Sequence, residues 1–277
     1  VVGLRKDADF QTCKPSAHYQ LPLVTSCPGK CEYCYLQTTL GKKPYIRVYV
    51  NVDEILSRAK EYIQINKPEM TVFEGAATSD PIPVEYLTGA LAKTITFFGQ
   101  EELGRFRLVT KFTEVDSLLT LNHYGHTTFR FTINSPYVIN SFEHSTPSME
   151  ERIRAAGKVA NAGYPLGFII GPIMHYDNWR MEYRNMLTEV ANVIEKKVYA
   201  PSFELITHRF TGRAKNNILK LYPETKLDMD EKNRQLKYGQ FGYTKYVYPK
   251  AILNELKEFF EYHIKEIFPE AKISYFV

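Results

Sequence analysis

Three cysteines stand close together near the start of the chain, in the segment Cys27-Pro28-Gly29-Lys30-Cys31-Glu32-Tyr33-Cys34. Their C-x3-C-x2-C spacing, in a loop with Gly and Pro, allows three thiolates to bind three irons of a 4Fe–4S cluster and leaves the fourth iron open. Zinc is the competing metal, but a structural zinc site takes four ligands, and no fourth cysteine or nearby histidine completes the set. The spacing therefore favours an iron–sulfur cluster.

Polar residues that could bind a small ligand follow the predicted strands at their carboxyl ends. In parallel α/β folds this edge of the sheet holds ligands and reacting groups. Such side chains could bind the polar groups of a cofactor or substrate, whereas turn, capping and solvent-exposed roles are the alternative. The candidates are Ser79, Lys111, Asn134 and Ser135.

The elements that position these residues repeat a short β-branched or aromatic run, a loop and a helical period. The predicted strands are Tyr19–Thr25, Met70–Glu74, Phe106–Thr110, Thr127–Ile133, Pro165–Ile170 and Ser202–Ile206. The predicted helices span 53–65, 84–98, 115–122, 148–162, 178–197 and 211–221. Strands that alternate with helices form a parallel sheet, and its crossovers are right-handed.

Six such units are too few for a closed eight-stranded barrel, so we expect an α/β fold with an open, partial β/α barrel over residues 1–222. An open barrel leaves a lateral mouth wide enough for a large substrate. From 223 to 277 the pattern predicts a β-hairpin over 235–248, a helix over 250–267 and a strand over 272–276. We expect this C-terminal extension and the barrel to form one compact unit.

The composition is that of a globular protein, with 277 residues, 44% of them hydrophobic and 24% charged. No apolar run is long enough to cross a membrane and no secretory leader is recognised, so we expect a cytoplasmic protein without membrane contact. A net charge of +4 is too small to indicate nucleic-acid binding by itself. The cysteines fit reduced thiolates, and Cys13, which stands apart, is interpreted as a structural or incidental thiol.

The cysteine motif, on the loop after the first strand of a partial barrel, resembles that of the radical S-adenosylmethionine superfamily. The resemblance implies that the open iron binds the amino and carboxylate groups of S-adenosylmethionine, which one electron cleaves to a 5′-deoxyadenosyl radical. It also implies that Glu74-Gly75 meets the methionyl amino group and that Tyr33 packs near the adenine. Ser79, Lys111, Asn134 and Ser135 are further candidates for this cofactor or the substrate.

The chain as a whole, from about Cys13 to Val277, resembles the spore photoproduct lyase family. The most specific stretches are Ser26–Gln37 (SCPGKCEYCYLQ) and Phe73–Pro81 (FEGAATSDP). The resemblance implies repair of the UV lesion 5-thyminyl-5,6-dihydrothymine in spore DNA, in a bacterial spore or germinating cell. The implied partners are double-stranded DNA that carries the lesion and a low-potential electron donor, and we expect a monomer.

The family chemistry implies roles for two tyrosines and one cysteine. Tyr33 and Tyr35 match the tyrosines that relay a hydrogen back so that S-adenosylmethionine is regenerated, although both could simply pack over the cluster. The family has a cysteine hydrogen donor where this chain has Ala77, which has no hydrogen weak enough to abstract. We therefore expect C–C scission without clean quenching of the thymine radical, and we expect Ala77→Cys to restore repair.

The predicted hairpin interleaves basic and aromatic residues, a pattern that suits phosphate contacts and a wedge into a duplex. An edge hairpin guarded by solvated lysines is the alternative. Two other functions stay open: a radical S-adenosylmethionine enzyme with another substrate, and a non-catalytic metal-stabilised nucleic-acid-binding module. The DNA-binding candidates are Arg234, Lys237, Tyr238, Tyr243, Lys245 and Tyr246.

Overall fold

The structure is a computed structural model that describes residues 1–6, 9–40, 45–194, 200–238, 242 and 244–277. Its strands are β1 (Val2–Gly3), β2 (Thr12–Cys13), β3 (Ala17–Gln20), β4 (Val24–Thr25), β5 (Lys30–Cys31), β6 (Arg47–Tyr49), β7 (Thr71–Glu74), β8 (Gly104–Thr110), β9 (Thr127–Ile133), β10 (Glu143–His144), β11 (Leu166–Ile173), β12 (Ser202–Thr207), β13 (Gln235–Tyr238), β14 (Thr244–Val247) and β15 (Lys272–Phe276). Its α-helices are α1 (Leu36–Thr39), α2 (Val52–Ile65), α3 (Glu85–Thr88), α4 (Ala90–Gln100), α5 (Pro136–Phe142), α6 (Met149–Asn161), α7 (Trp179–Val193), α8 (Gly212–Leu221) and α9 (Lys250–Ile267).

The main sheet has eight strands in the order β15-β12-β11-β9-β8-β7-β3-β2, and it is open and strongly curled. All neighbouring strands run parallel except β2 and β3, which are antiparallel. The order follows the chain, as expected for successive right-handed crossovers. The prediction of an open, partial β/α barrel is confirmed, and all six predicted strands belong to this sheet in whole or in part.

The strands form where apolar and β-branched residues recur, and their inward side chains are large aromatics. Phe73, Phe106 and Phe129 on neighbouring strands are completely buried, and the rings of Phe98 and Phe106 stack at 5.5 Å. Completely burying an aromatic side chain contributes about 2–3 kcal/mol, so this layer is a large part of the driving force for folding. The candidate site lies at one end of this packed layer.

Local sequence signals set several element boundaries. Ser148 and Glu151 form a reciprocal capping box at the start of α6, as its polar cap and first-turn acids predict. The predicted helix over 84–98 is interrupted at Gly89, whose φ of 59° ends α3 before α4 begins. The predicted helix over 115–122 is wrong, because only a 3-10 turn at Asp116–Leu118 forms there.

The C-terminal residues are integrated into the same fold. β13 and β14 form the predicted hairpin, with Gln235 opposite Val247, and β15 extends the main sheet beside β12. The helix α9 buries Leu256, Phe260 and Ile264. Throughout the part of the chain that the structure describes, no helix is both long and apolar enough to span a membrane.

Candidate active site

The loop that carries the three cysteines is fixed by backbone pairing on both sides. Ser26 has a φ of 72° and pairs with Ser79 in a short parallel bridge next to the end of β7. The strand β5 pairs with β10 so that Cys31 lies opposite Glu143. Because both flanks are held, the loop presents its thiols from a defined position.

The three cysteines are thiols rather than disulfides, and burial governs their protonation. Burial raises the pKa of Cys31 to about 12 and that of Cys27 further, whereas the nearby Lys111 opposes the shift at Cys31. Among the described residues, no three His, Cys, Asp or Glu side chains converge on a single ion position. Three thiolates that each bind a different iron of a cluster need no such convergence, so the donor set fits a 4Fe–4S cluster.

Tyr33 points its hydroxyl into a buried charged cluster. The hydroxyl donates a hydrogen bond to Glu143, which is fully buried and paired with Arg152 at 2.6 Å and Lys111 at 3.4 Å. Burial raises the pKa of Tyr33, while the two cations outweigh burial and lower the pKa of Glu143. Lys111, predicted as a cofactor ligand, is therefore engaged with Glu143 in this structure.

Tyr35, by contrast, lies with its ring largely exposed beside the end of β7. Its hydroxyl donates a hydrogen bond to the carbonyl of Ala77. Burial of the hydroxyl, together with the neighbouring Cys34 and Cys13 sulfurs, raises the pKa of Tyr35. The structure thus brings Tyr35, position 77 and Cys13 together.

Cys13 is the residue that the sequence analysis interpreted as a structural or incidental thiol. It ends the edge strand β2, opposite Ala17 of β3, and its side chain is half-buried. Burial raises its pKa, although the charges of Arg130 and Arg107 act in the opposite direction. A thiol with a raised pKa keeps its S–H hydrogen at neutral pH, which is the form that can donate a hydrogen atom.

Glu74, the predicted partner of the methionyl amino group, has its carboxylate engaged within the fold. Its carboxylate is buried, forms an ion pair with Arg130, and accepts hydrogen bonds from Ser16 Oγ at 3.1 Å and the Ala76 amide at 3.2 Å. The sequence could not reveal Arg130, because a basic residue inside a strand gives no sign of the face on which it lies.

Gly75 is required by packing. A Cβ at this position would lie 2.5 Å from the Phe106 ring, so no larger residue fits without displacing that ring. The glycine therefore lets the end of β7 pass close to the aromatic core.

Asp80 is a buried residue of the site that the sequence analysis missed. Its carboxylate accepts hydrogen bonds from Thr110 Oγ1 at 2.9 Å, from the Lys111 amide at 3.0 Å and from the Ile82 amide at 3.3 Å. Burial outweighs these donors and raises its pKa to about 6. Asp80 joins the loop after β7, which contains Ser79, to the end of β8.

Asn134 and Ser135, both predicted as candidate ligands, have hydrogen-bond partners within the fold. Asn134 is completely buried, donates to the Pro172 carbonyl at 2.9 Å and accepts from the Tyr183 hydroxyl at 2.9 Å. Ser135 caps α5 and accepts a hydrogen bond from Tyr176 at 2.6 Å. Their polar atoms are therefore used within the fold.

Two of the predicted DNA-binding residues are engaged inside the C-terminal region. The Arg234 side chain is buried, donates to the His208 carbonyl at 3.1 Å and lies 3.8 Å from the centre of the Tyr248 ring. The Tyr246 ring stacks on Phe210 at 5.2 Å. Arg234 and Tyr246 therefore have partners within the fold, and their contact with DNA stays a prediction.

Lys237 and Tyr238 of the hairpin are exposed. Lys237 lies directly opposite Lys245 in the β13–β14 pair, and Tyr238 is 85% exposed. Burial and the charges of Arg209 and Lys237 lower the pKa of Lys245, which shows that positive charge is concentrated here. Like charges in cross-strand pairs are unfavourable unless an anion binds between them. Tyr243 lies outside the described residues.

Comparison with known proteins places the whole chain among one set of relatives. Residues 1–277 match the family described as spore photoproduct lyase. A relative of that name from Clostridium acetobutylicum is 53% identical over all of this chain and 82% of its own length. Another, from Bacillus subtilis (strain 168), is 49% identical over all of this chain and 81% of its own length.

Solved structures agree with this placement. A spore photoproduct lyase complexed with dinucleoside spore photoproduct has a TM-score of 0.96 and 48% identity over all of this chain and 82% of that chain. A double variant with bound AdoMet and the same dinucleoside also has a TM-score of 0.96, with 49% identity over all of this chain and 82% of that chain. In that variant a cysteine is replaced by alanine and a serine by cysteine.

Proposed function

The chain belongs to the spore photoproduct lyase family, and we propose how its own residues divide that family's reaction among them. It is a DNA-repair lyase that reverts the spore photoproduct to two thymines with a 4Fe–4S cluster and S-adenosylmethionine. The observation that carries this conclusion is the superposition of the whole chain on a relative that holds AdoMet and the lesion together. Another radical S-adenosylmethionine reaction is not favoured.

Cys27, Cys31 and Cys34 hold the cluster and leave one iron for the cofactor. When bound, the cluster and S-adenosylmethionine supply a 5′-deoxyadenosyl radical that takes a hydrogen from C6 of the lesion, after which the bridge between the thymines breaks. Tyr33 and the backbone at Gly75 stay proposed contacts of the cofactor, as do Ser79 and Lys111. The protein holds these groups in place and excludes competing reactions.

The hydrogen donor in this chain is Cys13. Its S–H hydrogen atom passes to the thymine methylene radical, which forms the methyl C–H bond and leaves a thiyl radical. The O–H hydrogen atom of Tyr35 then re-forms the S–H bond, and Tyr33 gives its O–H hydrogen atom to the Tyr35 radical. The Tyr33 radical would regain a hydrogen atom from 5′-deoxyadenosine, so that S-adenosylmethionine is regenerated. This assignment replaces our expectation of an impaired last step, because a thiol beside Tyr35 can act although position 77 is alanine.

The spacing of residues in the double variant supports this assignment. Its two substituted positions lie 64 residues apart, the serine-to-cysteine position coming first. Cys13 and Ala77 are separated by the same 64 residues in the same order. This chain thus carries a cysteine and an alanine at the spacing that was engineered in that relative.

The test is anaerobic turnover of an oligonucleotide that contains the lesion, with products identified by mass spectrometry. We expect clean conversion to thymines by the unchanged protein, and lesion loss with aberrant products by Cys13→Ala. Adding Ala77→Cys to Cys13→Ala should restore thymine. If Cys13→Ala gives the product distribution of the unchanged protein, Cys13 is not the donor.

Lesion-containing double-stranded DNA is the proposed partner. The extension over residues 223–277 contributes the hairpin that bears Lys237, Tyr238 and Lys245, and the lesion is extruded from the duplex to reach the site. We further propose that a low-potential electron donor reduces the cluster, that the protein acts as a monomer, and that it works in the cytoplasm of a spore or germinating cell.

A further inference from the structure

The turn between β2 and β3 is held from inside the curled sheet by two arginines. Ser16 closes this turn, three residues after Cys13. Its carbonyl accepts a hydrogen bond from Arg107 Nη1 on β8, and its Oγ accepts one from Arg130 Nη1 on β9 at 2.9 Å. The Ser16 hydroxyl in turn donates to Glu74 at 3.1 Å. Three interior side chains therefore meet at one short turn.

The arginines are themselves fixed by the far side of the sheet. Glu204 of β12 is buried and accepts from Arg130 Nη1 at 2.9 Å and from Arg107 Nη2. Tyr275 of β15 donates to the second Glu204 oxygen at 2.6 Å. A continuous set of contacts thus runs from the last strand of the sheet to the turn beside Cys13.

This set of contacts carries a large desolvation cost for the little stability that it adds to the turn. Buried ion pairs contribute little net stability compared with apolar packing, because each charge must leave water. Hydrogen bonds from guanidinium groups do fix geometry, since their donors point in set directions. The arrangement therefore suits a segment whose position matters more than its contribution to stability.

We propose that Arg107 and Arg130 are positioning residues for the Cys13 thiol. This inference rests on the proposed role of Cys13 as hydrogen donor. By holding Ser16, the two arginines keep the half-buried end of β2, at the open edge of the sheet, against Tyr35 and the bound lesion. The two residues of β2 alone would hold an edge strand weakly.

The experiment changes Arg107, whose side chain is 19% exposed. Arg130 then still balances the negative charge of the buried Glu204 carboxylate. In the cluster-loaded protein, Arg107→Met should raise the ratio of aberrant products to thymine about tenfold, because hydrogen transfer is steeply sensitive to placement. Arg107→Lys keeps the charge beside Glu204 but cannot also reach the Ser16 carbonyl, and it should give an intermediate ratio. Formation of 5′-deoxyadenosine should change little.

The matched control is Arg105→Met on the same strand. Arg105 Nη1 donates to the carbonyls of Glu102 at 2.9 Å and Gly104 at 2.7 Å, at the start of β8 and away from the Ser16 turn. This variant removes an arginine of equal size, and we expect the product ratio of the unchanged protein.

A second background, the protein whose thiol is moved to position 77, separates a positioning role of Arg107 from general damage to the fold. When the thiol is moved by combining Cys13→Ala with Ala77→Cys, Arg107→Met should no longer alter the product ratio. An equal effect of Arg107→Met in both backgrounds would overturn the inference, as would an unchanged ratio in the original background while Cys13→Ala does alter it. If Cys13→Ala itself has no effect, the proposed donor fails first and the inference falls with it.

Discussion

Side chains at the carboxyl ends of strands divide here into those that face the site and those that the fold itself uses. Asn134 and Ser135 have the residue types of ligands, yet Tyr183 and Tyr176 occupy their polar atoms. Cys13 has no motif around it, yet it lies beside Tyr35. The type of a side chain thus predicts its chemistry, whereas its partners are set by contacts from distant parts of the chain.

Arg234 provides a test of whether a basic side chain stabilises the fold or contacts DNA. Its guanidinium donates to two backbone carbonyls, at His208 and Asp228, so Arg234→Met leaves buried acceptors unpaired. We expect the free energy of unfolding to fall by about 2 kcal/mol, measured by denaturant titration. The slope of log affinity for lesion-bearing DNA against log salt should stay that of the unchanged protein. A smaller slope with unchanged stability would instead mean that Arg234 contacts a phosphate.

The hairpin formed by β13 and β14 is the element for which DNA binding can be tested most directly. Replacing Lys237 and Lys245 by Met should weaken DNA binding and lower the slope of log affinity against log salt by about 2, because two phosphate contacts are lost. Stability should not fall, since a cross-strand pair of like charges is removed.

The control for the hairpin variant is Lys257→Met on α9. Lys257 is similarly exposed but pairs with Glu261, one turn further along the helix. Titration of a labelled lesion duplex at three salt concentrations compares the two proteins. Equal slopes for both would mean that the hairpin lysines contact no phosphate.

The cluster loop is also joined to the segment that follows α8. The Tyr222 hydroxyl donates to the Lys30 carbonyl at 3.1 Å, and Thr225 donates to Glu32, which His144 also contacts at 2.8 Å. We expect Thr225→Val to speed loss of the cluster to a chelator by about tenfold, because residues behind metal ligands commonly control retention. Bleaching of the cluster absorbance measures the rate, with Thr96→Val as control, since Thr96 bonds only its own helix at Ala92 among the described contacts.

Local sequence signals predicted most of the helices and strands of the fold. The capping box of α6 and the alternating burial pattern of β8 arise within a few residues, so the sequence predicts both elements well. The first predicted strand, Tyr19–Thr25, divides into β3 and β4, because Pro22 lacks the amide hydrogen that a continuous strand needs. The short strand β2 gave no signal, since its two residues are held by partners elsewhere.

His208 is a buried group whose titration should affect the stability of the whole molecule. Burial, reinforced by the adjacent Arg234, lowers the pKa of His208 to about 3 in the folded chain. Between this value and the usual pKa of about 6.5, the unfolded chain binds a proton that the folded chain does not. Stability therefore falls as the pH is lowered through this range, by about 1.4 kcal/mol per pH unit.

Denaturant unfolding of the unchanged protein and of His208→Gln at pH 6.5 and pH 5 tests this expectation. The unchanged protein should lose about 2 kcal/mol more than the variant over this interval. Equal losses in the two proteins would show that His208 accepts a proton in the folded state.

The contacts of β15 determine when, during biosynthesis, the turn beside Cys13 can be fixed. The three cysteines leave the ribosome before Tyr275, which holds Glu204 and through it the turn beside Cys13. A nascent chain can therefore present its cluster ligands before the donor turn is fixed. If Cys13 is the hydrogen donor, as proposed, clean repair requires β15 to be in place, and a chain that lacks β15 would start the reaction without the means to finish it.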